Sequence, residues 1–131
     1  MKDLELNKMV DIKVKNSIIE LDYISSPKNG KGETSLSHVV SEKVVNILSK
    51  DSKKEYLMLV NLLKVGDTGS PTSEARKVYA KMGSNKQLKK VAVCGSNIKI
   101  KVVANFIARL TGRKEFQWFD NLADARKWLK K

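Results

Sequence analysis

From Tyr56 onward, three apolar runs alternate with three stretches of helical period, and this strand-then-helix order limits the fold more than any other feature. Tyr56-Leu57-Met58-Leu59-Val60-Asn61-Leu62 is nearly all apolar, as a strand covered on both faces must be. Gly66-Asp67-Thr68-Gly69 reads as a turn. Ser70-Pro71 then supplies an N-cap hydroxyl and a proline at the first helical position, both suited to the free N–H groups of a helix start. That helix is predicted to end at Gly83, which can take the left-handed C-terminal cap. Residues 91–94 form the next apolar strand. Ser96 or Asn97 opens a helix that places Lys99, Val102, Val103, Phe106, Ile107 and Leu110 on one side and stops at Gly112. Residues 116–119 are the last strand. Asn121 caps a closing helix with Asp124 in its first turn and Lys130 and Lys131 at its end, charges that complement the helix dipole.

The first part of the chain has a different rhythm. Residues 10–15 and 18–24 alternate apolar and polar side chains, the period of half-buried strands, and Asn16-Ser17 between them is short enough for a hairpin turn. Ser25 to Glu33 contains a proline and two glycines and reads as an exposed loop. A helix over 35–49 follows, capped by Thr34 or Ser35, with Leu36, Val39, Val40, Val44, Ile47 and Leu48 on one face. Strands that alternate with helices pair in parallel, so the expected fold is α/β: a mixed sheet of about five strands with four helices. Residues 1–8 read as an N-terminal tail and 9–131 as one domain.

The length of 131 residues suits one hydrophobic core. No apolar run approaches the ~18 residues of a membrane-spanning helix, and the first residues lack the apolar core of a secretion signal. The lone cysteine, Cys94, excludes an internal disulfide and fits a reducing cytoplasm, where it reads as a small buried hydrophobe.

Residues that carry chemistry are sparse. One histidine, His38, with no evident partner and one cysteine cannot build a metal site or a catalytic triad. Gly66 and Gly69 do not form a phosphate-binding pattern, and Glu20 with Asp22 or Glu115 with Asp120 are too ordinary to serve as an acid–base pair. No cofactor and no enzymatic activity are expected. Phe116, Trp118, Phe119 and Trp128 read as core and rim, with Trp128 packing the last helix on the sheet.

The hairpin and its following helix, Leu57-Met58-Leu59-Val60-Asn61-Leu62, Ser73-Glu74-Ala75-Arg76, Val91-Ala92-Val93 and the closing Phe119-Asp120…Ala125-Arg126-Lys127-Trp128-Leu129 together resemble the SpoIIAA-like, or STAS, family of small bacterial proteins. The resemblance runs from about Met9 to Lys131, and its closing segment is the most specific part. It implies the fold of anti-sigma factor antagonists, shared more distantly with lipid-binding CRAL-TRIO domains, and a non-enzymatic regulatory or interaction role. In the best understood cousins a serine at the start of the second helix is phosphorylated, after an Asp-Ser-Ser-Gly turn. Here the matching stretch, Asp67-Thr68-Gly69-Ser70-Pro71-Thr72-Ser73, keeps hydroxyls in a different order. Asp67, Thr68, Ser70, Thr72 and Ser73 are therefore the candidate switch or partner site, with helix capping as their plainer role.

Charge supplies a second candidate. The net charge is +12, and Arg76 to Lys114 contains eleven basic residues and no carboxylate. Lys86, Lys89, Lys90, Arg113 and Lys114 are expected to form a basic surface at one end of the sheet. It is a solvated face, a surface that draws an acidic protein partner, or, as the least favoured reading, a surface for nucleic acid or anionic lipid. Nucleic acid is disfavoured, because no groove-reading motif is present. A small apolar or anionic ligand between sheet and helices is the alternative, and a homodimer stays open.

Overall fold

Asn16 and Ser17 both take positive φ, 53° and 62°, and close a two-residue hairpin whose strands pair antiparallel from Lys15 opposite Ile18 to Val10 opposite Tyr23. Such a turn matches the twist of the strands it joins. The computed structural model describes residues 3–65, 71–113 and 115–131. Its strands are β1 (Val10–Lys15), β2 (Ile18–Tyr23), β3 (Tyr56–Asn61), β4 (Leu88–Cys94) and β5 (Phe116–Phe119). They lie in the order β1-β2-β3-β4-β5, and every pair after the hairpin is parallel. The helices are α1 (Asp3–Asn7), α2 (Gly30–Ser49), α3 (Ser73–Gly83), α4 (Ile98–Thr111) and α5 (Leu122–Leu129).

Each strand from β2 on is followed in space by the next one in sequence. Crossovers of one hand in a sheet that grows in one direction bring their helices to the same face. Leu36, Val40, Val44 and Leu48 of α2, Met82 of α3 and Ala104 of α4 accordingly share one cluster with Ile19, Leu21, Met58, Val91 and Val93. The other face is covered by α5, whose Ala125 and Leu129 pack with Leu59, Ala92 and Cys94.

Four local readings need correction. The segment read as an exposed loop supplies the first turn of α2: Asn29 is its cap, accepting from Gly32 N at 2.8 Å, and Thr34 lies inside the helix. Helix α3 is capped by Thr72, so Pro71 precedes the helix, and its C-cap is Ser84 in right-handed geometry rather than a left-handed Gly83. Residues 3–7 are helical, with Leu6 fully buried. On α4, Val102, Phe106 and Leu110 turn outward, whereas Ala104 and Ile107 turn to the sheet. That helix is apolar around most of its circumference, so periodicity could not choose between its faces. Asn97, Gly112 and Asn121 cap as expected.

Candidate functional site

The sheet and the helices α2, α3 and α4 enclose a space on the helical face. Val91 and Val93 of β4 lie opposite Val103, Ala104 and Ile107 of α4, and the groups between them do not fill the gap. The resulting cavity has a volume of about 120 Å³. Leu21 and Met58 form its floor, with Leu36 of α2 and Met82 of α3 at the sides. Val65 and Pro71, which flank residues 66–70, also line it.

One end of this apolar space is polar. Tyr23 stands at the last inward position of β2, and its side chain is hydrogen-bonded to Tyr79 of α3. Burial pushes both phenols upward, so both remain neutral. Glu33 enters from the first turn of α2, where the early helix start has carried it, and is only 8% exposed. Burial raises its carboxyl from 4.5 to about 7, outweighing the helix-start field that would favour the anion. The Ser26 hydroxyl oxygen is buried and has no hydrogen-bond partner among the described residues. Pro27 fixes the adjoining backbone by packing on Gly32, where a Cβ would come within 2.6 Å of the proline ring. Four groups able to donate or accept a hydrogen bond thus border a wall that is otherwise apolar.

The candidate switch residues fall beside this region. Asp67, Thr68 and Ser70 lie outside the described residues. The Thr72 hydroxyl accepts from Ala75 N at 3.1 Å and meets Thr34 Oγ1 at 2.6 Å, so it both caps α3 and joins it to α2. Ser73 is exposed at the first position of α3. His38 is not alone: its Nε2 lies 2.9 Å from Glu74 across the same junction.

The candidate basic surface is differently built from the expectation. Lys89 and Lys90 do not precede β4 but lie within it, and the register shifts there between β3 and β4. Lys89 pairs with Glu55 at 2.6 Å. Lys90 turns to the α5 face, donates to the Trp128 carbonyl at 2.9 Å and lies 4.9 Å from the Trp128 ring centroid. Arg113 is half-buried and donates to the Asn85 carbonyl at 3.3 Å, beside exposed Lys86. Lys114 lies outside the described residues.

Ser26, Glu33 and Tyr23 were not singled out by the sequence. Tyr23 was legible as the last inward residue of an alternating strand. Glu33 was hidden because the Gly-rich stretch suggested a loop where a helix begins. Among the described residues, no group of three or more His, Cys, Asp or Glu side chains could hold a metal ion. No helix is long and apolar enough to cross a membrane, again among the described residues.

A parallel sheet with an added hairpin, covered by α2, α3 and α4 on one face and α5 on the other, is a STAS-type architecture. The SpoIIAA-like family model matches residues 33–130, and the chain belongs to the SpoIIAA-like family. Among solved structures it is similar to an uncharacterised protein of the DUF3478 family with a SpoIIAA-like fold from Shewanella loihica PV-4. The TM-score is 0.58 at 16% identity, over 92% of this chain and 91% of that one. Comparison with curated proteins gives no match.

Proposed function

We propose that this domain binds a small amphipathic molecule, with an apolar body in the cavity and a neutral hydrogen-bonding head beside Glu33, Ser26, Tyr23 and Tyr79. The observation that carries this reading is the buried, unpartnered Ser26 hydroxyl at the end of an apolar space. A buried hydroxyl without a partner costs stability, and a ligand head group would supply the missing bond. A cavity of this size takes a ring or chain of about six carbon atoms. An anionic head is disfavoured, because the Glu33 carboxyl would oppose it once ionised. A hydroxyl head suits either state of Glu33.

The regulatory role implied by the family fits this reading if occupancy of the cavity is the signal. Glu33 and Leu36 of α2 and Tyr79 of α3 line the cavity, and α2 and α3 meet again at Thr34 and Thr72. A ligand would therefore touch α3, whose start holds the candidate residues Thr72 and Ser73, and α2, which Thr34 joins to that start.

Calorimetric titration with hexan-1-ol and with para-cresol tests the proposal. Saturable one-to-one binding to the unmodified chain is expected, weakened at least tenfold by Ala104→Leu, which fills the cavity from α4 at the cost of displacing the ligand. Absence of binding up to the solubility limit of both probes would refute it.

A further inference from the structure

Helix α4 carries a second apolar surface that the cavity does not use. Ile98, Val102, Phe106 and Leu110, spaced four residues apart, are 76%, 65%, 46% and 51% exposed. They form a stripe about 18 Å long at the helical rise per residue. Lys99, Lys101 and Arg109 are interleaved with it, all exposed, and none of them forms an ion pair among the described residues. From α3, Arg76 lies 5.5 Å from the Phe106 ring centroid and adds a fourth cation at the edge. No Asp or Glu occurs on the helix.

We infer that the outer face of α4 docks on the surface of an anionic lipid bilayer, with its apolar stripe in the headgroup boundary and its cations on lipid phosphates. Three observations select this occupant. The apolar and basic residues share one face, the combination that holds a helix in the plane of an interface. The stripe lies on a convex helix surface, which a deformable bilayer accommodates but which a protein partner could cover only with a matching groove. A second copy of the chain is disfavoured by charge, since pairing two α4 faces would bring Lys99, Lys101 and Arg109 of each against the same cations of the other, on chains of net charge +12. The lysine stems lie along the apolar residues while their amines reach the phosphates.

The same helix presents Ile100, Val103, Ala104 and Ile107 to the cavity. Docking through α4 would place the bilayer one helix diameter from the ligand space, so that an apolar ligand could come from the membrane. This consequence rests on the proposed ligand binding, whereas the docking itself does not.

Co-sedimentation with vesicles of equal parts phosphatidylglycerol and phosphatidylcholine tests the inference. The unmodified chain should partition onto these vesicles and not onto pure phosphatidylcholine. Replacing Lys99, Lys101 and Arg109 by Gln should weaken partition by about a hundredfold, from the contribution of each cation near an anionic surface. Ile98→Ser with Val102→Ser should weaken it by roughly tenfold to a hundredfold without changing the melting temperature, because both positions are exposed. Ala104→Leu should still partition, which separates a failure of docking from a failure of ligand binding. Absence of partition onto anionic vesicles at low salt would overturn the inference. So would partition that Ile98→Ser with Val102→Ser leaves unchanged, since charge alone would then account for it. A concentration-dependent dimer that the same double variant dissolves would overturn it in favour of self-association.

Discussion

Thr34 of α2 and Thr72, the residue that caps α3, share a hydrogen bond of 2.6 Å between their hydroxyl oxygens. Two residues thirty-eight positions apart in sequence thereby join the starts of their helices, and Gly30 is needed there, since a Cβ on it would come within 2.9 Å of the Thr72 methyl. Thr72→Val removes both the cap on Ala75 N and the link to Thr34, and should lower stability by about 1–2 kcal/mol. Thr34→Val removes only the link and should cost about 1 kcal/mol. Denaturant unfolding of the two single variants and the double variant would show a coupling between the positions. Strict additivity would mean the bond contributes nothing.

Glu33 makes stability depend on pH in a direction opposite to that of a salt-bridged carboxylate. Below its ordinary value of 4.5 the carboxyl is protonated whether the chain is folded or not, and its burial costs little. Between 4.5 and about 7 the unfolded chain gives up a proton that the folded chain keeps, so stability falls as pH rises. Above about 7 that contribution is lost, a difference of about 3 kcal/mol. Glu33→Gln should match the unmodified chain at low pH and exceed it by about this amount well above 7. Melting curves across that range are the measurement, and a gap that does not vary with pH would show that Glu33 does not titrate this way.

Gln87 closes the end of α2 from a distance. Its side-chain amide donates to the carbonyls of Leu48, Asp51 and Lys54 at 2.9, 2.9 and 3.0 Å, and the first of these belongs to the last turn of the helix. Such carbonyls have no partner within the helix. Gln87→Leu should cost about 1–3 kcal/mol and should speed amide exchange over 48–55 more than elsewhere.

Ser17 holds a left-handed backbone with φ of 62°. Ser17→Gly should therefore raise stability by up to about 1 kcal/mol, because relief of the steric cost exceeds the added chain entropy. A lowered melting temperature would show that the serine side chain contributes more to the turn than its backbone costs.

Strand and helix order, the hairpin and the caps at Asn97, Gly112 and Asn121 were legible because each depends on residues close in sequence. Asn97, Gly112 and Asn121 act on neighbours two to four positions away. The start of α2 was not legible, because Gly30 and Gly32 are poor helix formers whose lack of a Cβ permits close approach to Thr72 and Pro27, contacts that only the fold creates. The outward turn of Val102, Phe106 and Leu110 was hidden by an apolar excess on both sides of α4. Lys89 and Lys90 read as free cations because their partners, Glu55 and Trp128, are 34 and 38 positions away. The polar end of the cavity joins β2, the stretch after it, α2 and α3, and nothing in sequence spacing relates Tyr23, Ser26, Glu33 and Tyr79.

The claim that the space beneath α4 is a ligand site is tested most directly by methyl-resolved NMR during titration with hexan-1-ol. Leu36, Val93, Ala104 and Ile107, whose methyl groups line the cavity, should shift together and saturate, while Ala125 and Leu129 on the opposite face of the sheet stay still. The same titration of Ala104→Leu should leave the methyl groups of Leu36, Val93 and Ile107 unmoved. Shifts spread evenly over both faces, or an unchanged response in Ala104→Leu, would contradict the account.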